Sequence, residues 1–155
     1  MRAEELEALQ AVRDYGTARR FFAEVRHAVT RLDEVRHELQ DVRDMLPTSG
    51  SGHGSGISKP TEARALWLVC EAPAMAQRLE AERERLEAVI GCGLVLCQLL
   101  RDGLGDVYGE VVEAHYIDGM AWADVAEGVG YSVPHAKRLG GVALDWLDYQ
   151  TERGY

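Results

Sequence analysis

The chain has 155 residues, 46% of them apolar, and a formal net charge of −9. That is enough sequence to bury a core, while the acidic balance argues against attraction of nucleic acid by net charge alone. No apolar run reaches the roughly 20 residues of a membrane span, and Met1 to Gln10 is too acidic for a secretory signal, so a cytoplasmic protein with no membrane partner is expected.

The N-terminal part, residues 1–46, reads as a helix with a heptad seam. Phe21, Val25, Ala28, Leu32, Val35, Leu39, Val42 and Leu46 follow one another in unbroken steps of four and three, with charged residues filling most positions between them. Leu6, Leu9 and Val12 extend the pattern upstream, with a break or bend expected near Tyr15 and Gly16 because glycine weakens a helix interior by about 1 kcal/mol. Two uses of the seam remain open: one arm of an intramolecular antiparallel hairpin, or a coiled coil that makes a homodimer.

Residues 47–60, PTSGSGHGSGISKP, change composition abruptly and cannot sustain a helical face, so a flexible loop is expected. Its glycines lack a following GK[ST] and a strand–helix context, which argues against a phosphate cradle, and His53 is expected to be solvated. A second long helix is expected over 61–101, broken near Pro73, with Leu79, Leu86, Val89 or Ile90, Gly93, Leu96 and Leu100 at heptad-like spacing. Cys70, Cys92 and Cys97 are odd in number and lie in apolar helical sequence, where reduced packing residues are expected. Cys92 and Cys97 are on different faces of a helix, so no metal site is expected, and no cofactor is implied.

Residues 102–149 carry the most specific pattern. Tyr108, Val111, Val112, His115 and Tyr116 recur at helical spacing, and Ile117, Asp118 and Gly119 close that helix. The stretch WADVAEGVGYSVPHAKRLGGVAL, residues 122–144, then reads as a helix-turn-helix. Ala126 is small where two helices cross, Gly130 permits a positive φ, Ser132 can cap the second helix, and Pro134 early in it gives up a donor that has no intrahelical partner. Val125, Val129, Ala136, Leu139 and Ala143 take the inward positions, and the second helix is the one that would enter a major groove. Residues 150–155 form a short tail. The expected fold is all-α: a long antiparallel helical hairpin or coiled coil followed by a tri-helical helix-turn-helix domain.

The run DVYGEVVEAHYIDGMAWADVAEGVGYSVPHAKRLGGVALDWL resembles region four of the housekeeping-type bacterial sigma factors. The whole layout, with a heptad-bearing first helix, a loop carrying GSGISKPTEA, a second charged helix and a terminal sigma-like helix-turn-helix, is similar to the phage and prophage late-transcription regulators of the RinA and ArpU type. The resemblance implies a DNA-binding transcriptional regulator without enzymatic activity. It nominates Ser132, Val133, Pro134, His135, Lys137, Arg138 and Gly141 as the face toward double-stranded DNA, with Arg138 reading a guanine edge and Lys137 holding a phosphate. Gly140 and Gly141 depart from the family habit of Ala or polar residues at those positions.

Charge supplies the counter-argument. Residues 101–155 hold four Lys or Arg against ten Asp or Glu, yet Ser132 to Leu144 contains no acid at all. The alternative to a sequence-reading regulator is therefore an acidic helical module that docks on RNA polymerase or another regulator without reading bases. An enzyme is not expected, because the carboxylates lie on solvated helix faces with no convergent nucleophile, metal cluster or phosphate cradle.

Overall fold

The computed structural model describes residues 1–46 and 62–153, and every regular element among them is helical. The elements are α1 Ala3–Tyr15, α2 Ala18–Met45, α3 Glu62–Leu66, α4 Ala72–Gly103, α5 Asp106–Val112, α6 Trp122–Val129 and α7 Val133–Glu152. Two π-helical turns, Trp67–Glu71 and Glu113–Ile117, lead from α3 into α4 and out of α5. The loop expected over 47–60, His53 included, lies outside the described residues. No described helix is long and apolar enough to cross a membrane.

Both helix interruptions have local causes. Gly16 ends α1 at φ +97°, a conformation that suits only a residue without Cβ. Pro73 has no N–H to return to the preceding turn, and the wider π turn sits directly before it, with Leu66 and Ala72 on either side still in right-handed helical geometry. The expected break near Pro73 thus takes the form of a π turn in a continuing helical path.

The described residues divide into two compact units, Met1–Thr30 with Leu86–Tyr155, and Arg31–Arg85. The expected division set residues 102–149 apart after two helices; this grouping places them in one unit with residues 1–30 and 86–101. Leu96, Cys97 and Leu100 from α4 and Ala8, Leu9 and Val12 from α1 share one buried cluster with Val112, Ala143, Leu144 and Leu147, whereas Val111, Val125, Ala126 and Ala136 are buried outside it. Phe21 and Phe22 join this cluster fully buried, edge-on to one another at 5.3 Å, and Phe22 reaches Tyr116 at 5.5 Å. The expected tail also starts later than residue 150, since α7 runs to Glu152.

Long-range polar contacts hold the corner between α1 and α2 against α7. Asp148 accepts a hydrogen bond from Ala18 N–H at 2.7 Å, supplying an acceptor to the first turn of a helix that has no acid of its own there. Thr17 Oγ accepts from Arg20 N–H at 3.2 Å, and Arg13 donates to the Thr151 carbonyl at 2.5 Å near the end of α7.

In the second unit Leu32, Val35, Leu39 and Val42 are buried, as are Ala72 and Leu79. Arg31 binds Glu82 through two parallel hydrogen bonds of 2.8 and 3.2 Å and also reaches Glu34 and Glu38, each at 3.1 Å. Arg43 pairs with Glu80 at 2.8 Å. In the first unit the same seam continues with Phe21, Val25 and Ala28, also buried. The seam is therefore filled within one chain. A homodimer through the heptad helix would have to expose side chains that each contribute about 1.5–3 kcal/mol when buried.

Two glycines separate crowding from helix propensity. A Cβ on Gly109 would lie 2.6 Å from the Cys97 carbonyl oxygen and 2.5 Å from Arg101 Cγ, whereas one on Gly91 meets nothing within 4 Å. Gly109→Ala is expected to destabilise the protein by about 1–3 kcal/mol, because a backbone carbonyl cannot step aside. Gly91→Ala in the interior of α4 is expected to stabilise it by about 0.5–1 kcal/mol. Paired urea-unfolding curves measure both, and equal effects of one sign would refute this reading.

Candidate nucleic-acid interface

α5, α6 and α7 pack against one another, and the turn between α6 and α7 is tightly specified. Gly130 adopts the left-handed conformation, φ 75° and ψ 27°, and Tyr131 N–H returns to the Ala126 carbonyl at 3.0 Å, closing the end of α6. Ser132 then caps α7: its Oγ accepts from His135 N–H at 3.3 Å, and Pro134 occupies the first turn. Val125, Ala126, Ala136 and Ala143 are buried as the spacing predicts, while Val129 and Leu139 are half-buried.

Beneath the turn, Trp122 fixes how α6 meets α7. A Cβ on Gly140 would lie 2.9 Å from the far edge of the indole, so residue 140 must be small for Trp122 to seat there. Gly140 is buried. The glycine at this position therefore has a packing cause.

The nominated residues separate by environment. Ser132, Pro134, Lys137 and Arg138 are exposed; Val133, His135 and Gly141 are half-buried. Tyr131, itself exposed, stands edge-on to the His135 ring at 4.6 Å, which orders the aromatic groups at the start of α7. Among the described residues neither Lys137 nor Arg138 has an ion-pair partner within 4.0 Å. Two of the three acids farther along α7 are engaged. Asp145 pairs with Arg19 at 2.5 Å, and Asp148 binds the start of α2.

Arg19 is a member of this surface that sequence reasoning missed. One of its terminal nitrogens lies 3.5 Å from where a Gly141 Cβ would stand, so the guanidinium rests beside the middle of α7. It is separated from Asp145 by 126 positions, and in the sequence it is one of many arginines flanking the heptad seam. Gly141 is accordingly covered on one side by Arg19.

Next to Trp122 lies a half-buried histidine, His115. His115 stacks on Trp122 at 4.0 Å, its Nδ1 lies 2.8 Å from the Met120 carbonyl, and Arg26 Nη1 lies 2.9 Å from Nε2 and 3.0 Å from Nδ1. Arg26 also donates to the His115 carbonyl at 2.8 Å. Burial lowers the pKa of His115 from its ordinary value and the positive charges of Arg26 and Lys137 lower it further, against an opposing hydrogen bond to Met120. The lowered pKa favours the neutral ring, and Nδ1 is the nitrogen that faces the Met120 carbonyl.

The reverse side of this cluster is acidic. Asp106, Glu110, Glu113, Asp118 and Asp124 line a cleft of about 400 Å³, with Arg101 reaching Glu113 at 3.4 Å. Burial and the neighbouring Glu113 raise the pKa of Asp118. Among the described residues no group of three or more His, Cys, Asp or Glu is arranged to hold a metal ion. Cys97 is buried and its thiol is pushed up to about 12, chiefly by desolvation, which keeps it protonated and inert.

Comparison of the chain with protein-family models, with curated proteins and with solved structures finds no match.

The His115 cluster makes stability depend on pH. Because the folded-state pKa is lowered, the unfolded chain takes up the proton more readily. The stabilisation is complete above the ordinary histidine value of 6.5 and is lost as pH falls below it. Thermal melts from about pH 7.5 to about 5.5 should show a falling Tm, and His115→Gln should flatten that dependence. An unchanged slope in the variant would assign the acid sensitivity to other groups.

Proposed function

We propose that this protein is a sequence-specific, DNA-binding transcriptional regulator of phage or prophage genes, acting in the cytoplasm and reading the major groove with the first half of α7. The observation that carries the reading is charge segregation on α7. Lys137 and Arg138 stand exposed without ion-pair partners among the described residues, while two of the three acids of the same helix, Asp145 and Asp148, are bound by Arg19 and the start of α2, and the third, Glu152, lies at its far end. A chain of net charge −9 thereby offers duplex DNA a locally basic helix face.

The turn supports the same reading. With Gly130 left-handed, Ser132 capping and Trp122 seated on Gly140, the outward residues of α7 are held on a rigid frame, which side chains that discriminate base edges require. In this reading Arg138 contacts a guanine and Lys137 a phosphate. Arg19 adds a second phosphate contact from α2, and Ser132, Val133, Pro134, His135 and Gly141 form the surrounding surface. The similarity of the layout to the RinA and ArpU regulators supports late genes of a phage as the target.

A second reading rests on the acidic cleft. Its five carboxylates would suit a basic segment of RNA polymerase or of another regulator, and a protein that docks there need not read bases.

Titration of the full chain by fluorescence anisotropy against a randomised duplex pool, with sequencing of the bound fraction, tests the first reading. An enriched motif is expected, with Arg138→Ala weakening the selected site by about 1–3 kcal/mol and random duplex far less. Lys137→Ala should weaken both alike and reduce the salt dependence by about one phosphate contact. Absence of binding at low salt would overturn the DNA-reading function.

A further inference from the structure

Arg26 is a half-buried cation without a counter-ion. Among the described residues no carboxylate lies within 4.0 Å of its guanidinium, and its contacts with the His115 ring and carbonyl all run through Nη1. Nε and Nη2 are left without a protein acceptor, and neither is sealed from solvent. A guanidinium keeps its charge at any physiological pH, so its partial burial carries a desolvation cost that an anion would offset. Support of His115 accounts for one nitrogen of the three.

Arg26 lines a pocket of about 380 Å³ with Ala23, His27, Thr30 and Tyr116. No acid lines it, and Glu24, the acid nearest in sequence, is not part of its wall. Thr30 and Tyr116 bring hydroxyls and His27 an imidazole, each able to donate to an oxyanion. Burial raises the pKa of the Tyr116 phenol, which keeps it a donor, and the charges of Arg19 and Arg26 both act on it. All five lining residues belong to the first compact unit, and α2 runs about 28 Å beyond Arg26 before its end at Met45.

We infer that this pocket seats a backbone phosphate of duplex DNA, with Arg26 as its charge partner and His27, Thr30 and Tyr116 as the surrounding donors. The inference rests on the proposed reading of DNA by α7 and adds an anchor on a helix outside the helix-turn-helix. Continuity of charge selects the occupant. Arg19 and Arg26 lie two turns apart on α2, about 10 Å along its axis. Arg19 rests beside Gly141 of α7, and the charge of Lys137 acts on His115, which Arg26 holds. Cations spaced in this way are matched by a polyanion whose charges repeat along a strand, and a lone anion could meet only one of them.

Fluorescence anisotropy of the full chain on the duplex selected from the randomised pool tests the seat. Ala23→Glu places a carboxylate in the pocket from an exposed helical position, so circular dichroism and thermal melts should match the wild type. It should weaken binding at least about fivefold and lower the salt slope by about 0.9, one phosphate. Random duplex should be affected alike, because a phosphate contact carries no sequence information. Ala3→Glu makes the same change at an exposed residue outside the pocket and should do neither. Arg26→Gln should repeat the loss. Replacing single phosphates of the duplex by uncharged methylphosphonate should reveal one position whose neutralisation weakens the wild type and leaves Ala23→Glu unchanged. A wild type that binds no duplex would overturn the reading by α7 and the seat together. A wild type that binds, with Ala23→Glu no weaker than Ala3→Glu or with no methylphosphonate position coupled to it, would overturn the seat and leave the reading standing.

Discussion

The edge of the Trp122 indole rests on the bare backbone of Gly140, and the orientation of the outer face of α7 follows from that contact. Trp122 opens α6, and Gly140 lies eight residues after the cap of α7, so a single side chain sets the approach of the two helices. Val111 closes the same site from α5, 3.7 Å from the position of a Cβ on Gly140. His115 stacks on the other part of the indole and is itself gripped by Arg26 from α2. Packing interiors are close to crystalline in density, so a contact with no spare volume transmits position better than one that can slide. What Lys137 and Arg138 face is therefore decided on the opposite side of their helix.

The electrostatic arrangement depends on the same corner. An acidic protein can present a basic face only if its carboxylates are turned elsewhere or neutralised, since the field of the whole molecule otherwise repels a polyanion. Both happen here. Asp145 and Asp148 are bound by α2, and the carboxylates of α5 and of the turn after it gather around a separate cleft. The ion pair of Arg19 with Asp145 is exposed and contributes little to stability, because solvent and salt screen such pairs. Its effect is local: it removes one negative charge from the helix face that continues beyond Arg138.

Much of this was legible in the sequence because the relevant signals are local. The heptad steps from Phe21 to Val42 identify a buried seam, Gly16 and Pro73 mark the interruptions, and Gly130 with Ser132 marks the turn. Each of those rests on backbone conformations or periodicities that span only a few residues. The grouping of α1, the start of α2 and the end of α4 with the C-terminal helices was not legible. It depends on which apolar faces meet, and Leu9, Leu100 and Leu147 carry no mark that assigns them to one another. Arg19 was hidden for the same reason. The packing role of Gly140 was hidden too, because nothing local connects it to an indole eighteen positions earlier.

The heptad seam shows why periodicity alone underdetermines assembly. A seam records that one face of a helix is covered, and a partner helix from the same chain covers it as well as one from another chain. The loop connecting two helices of one chain keeps the partner at high effective concentration, so the intramolecular pairing forms first and leaves no seam to share. Arg31 reinforces that outcome by holding Glu82 with two hydrogen bonds beside the seam.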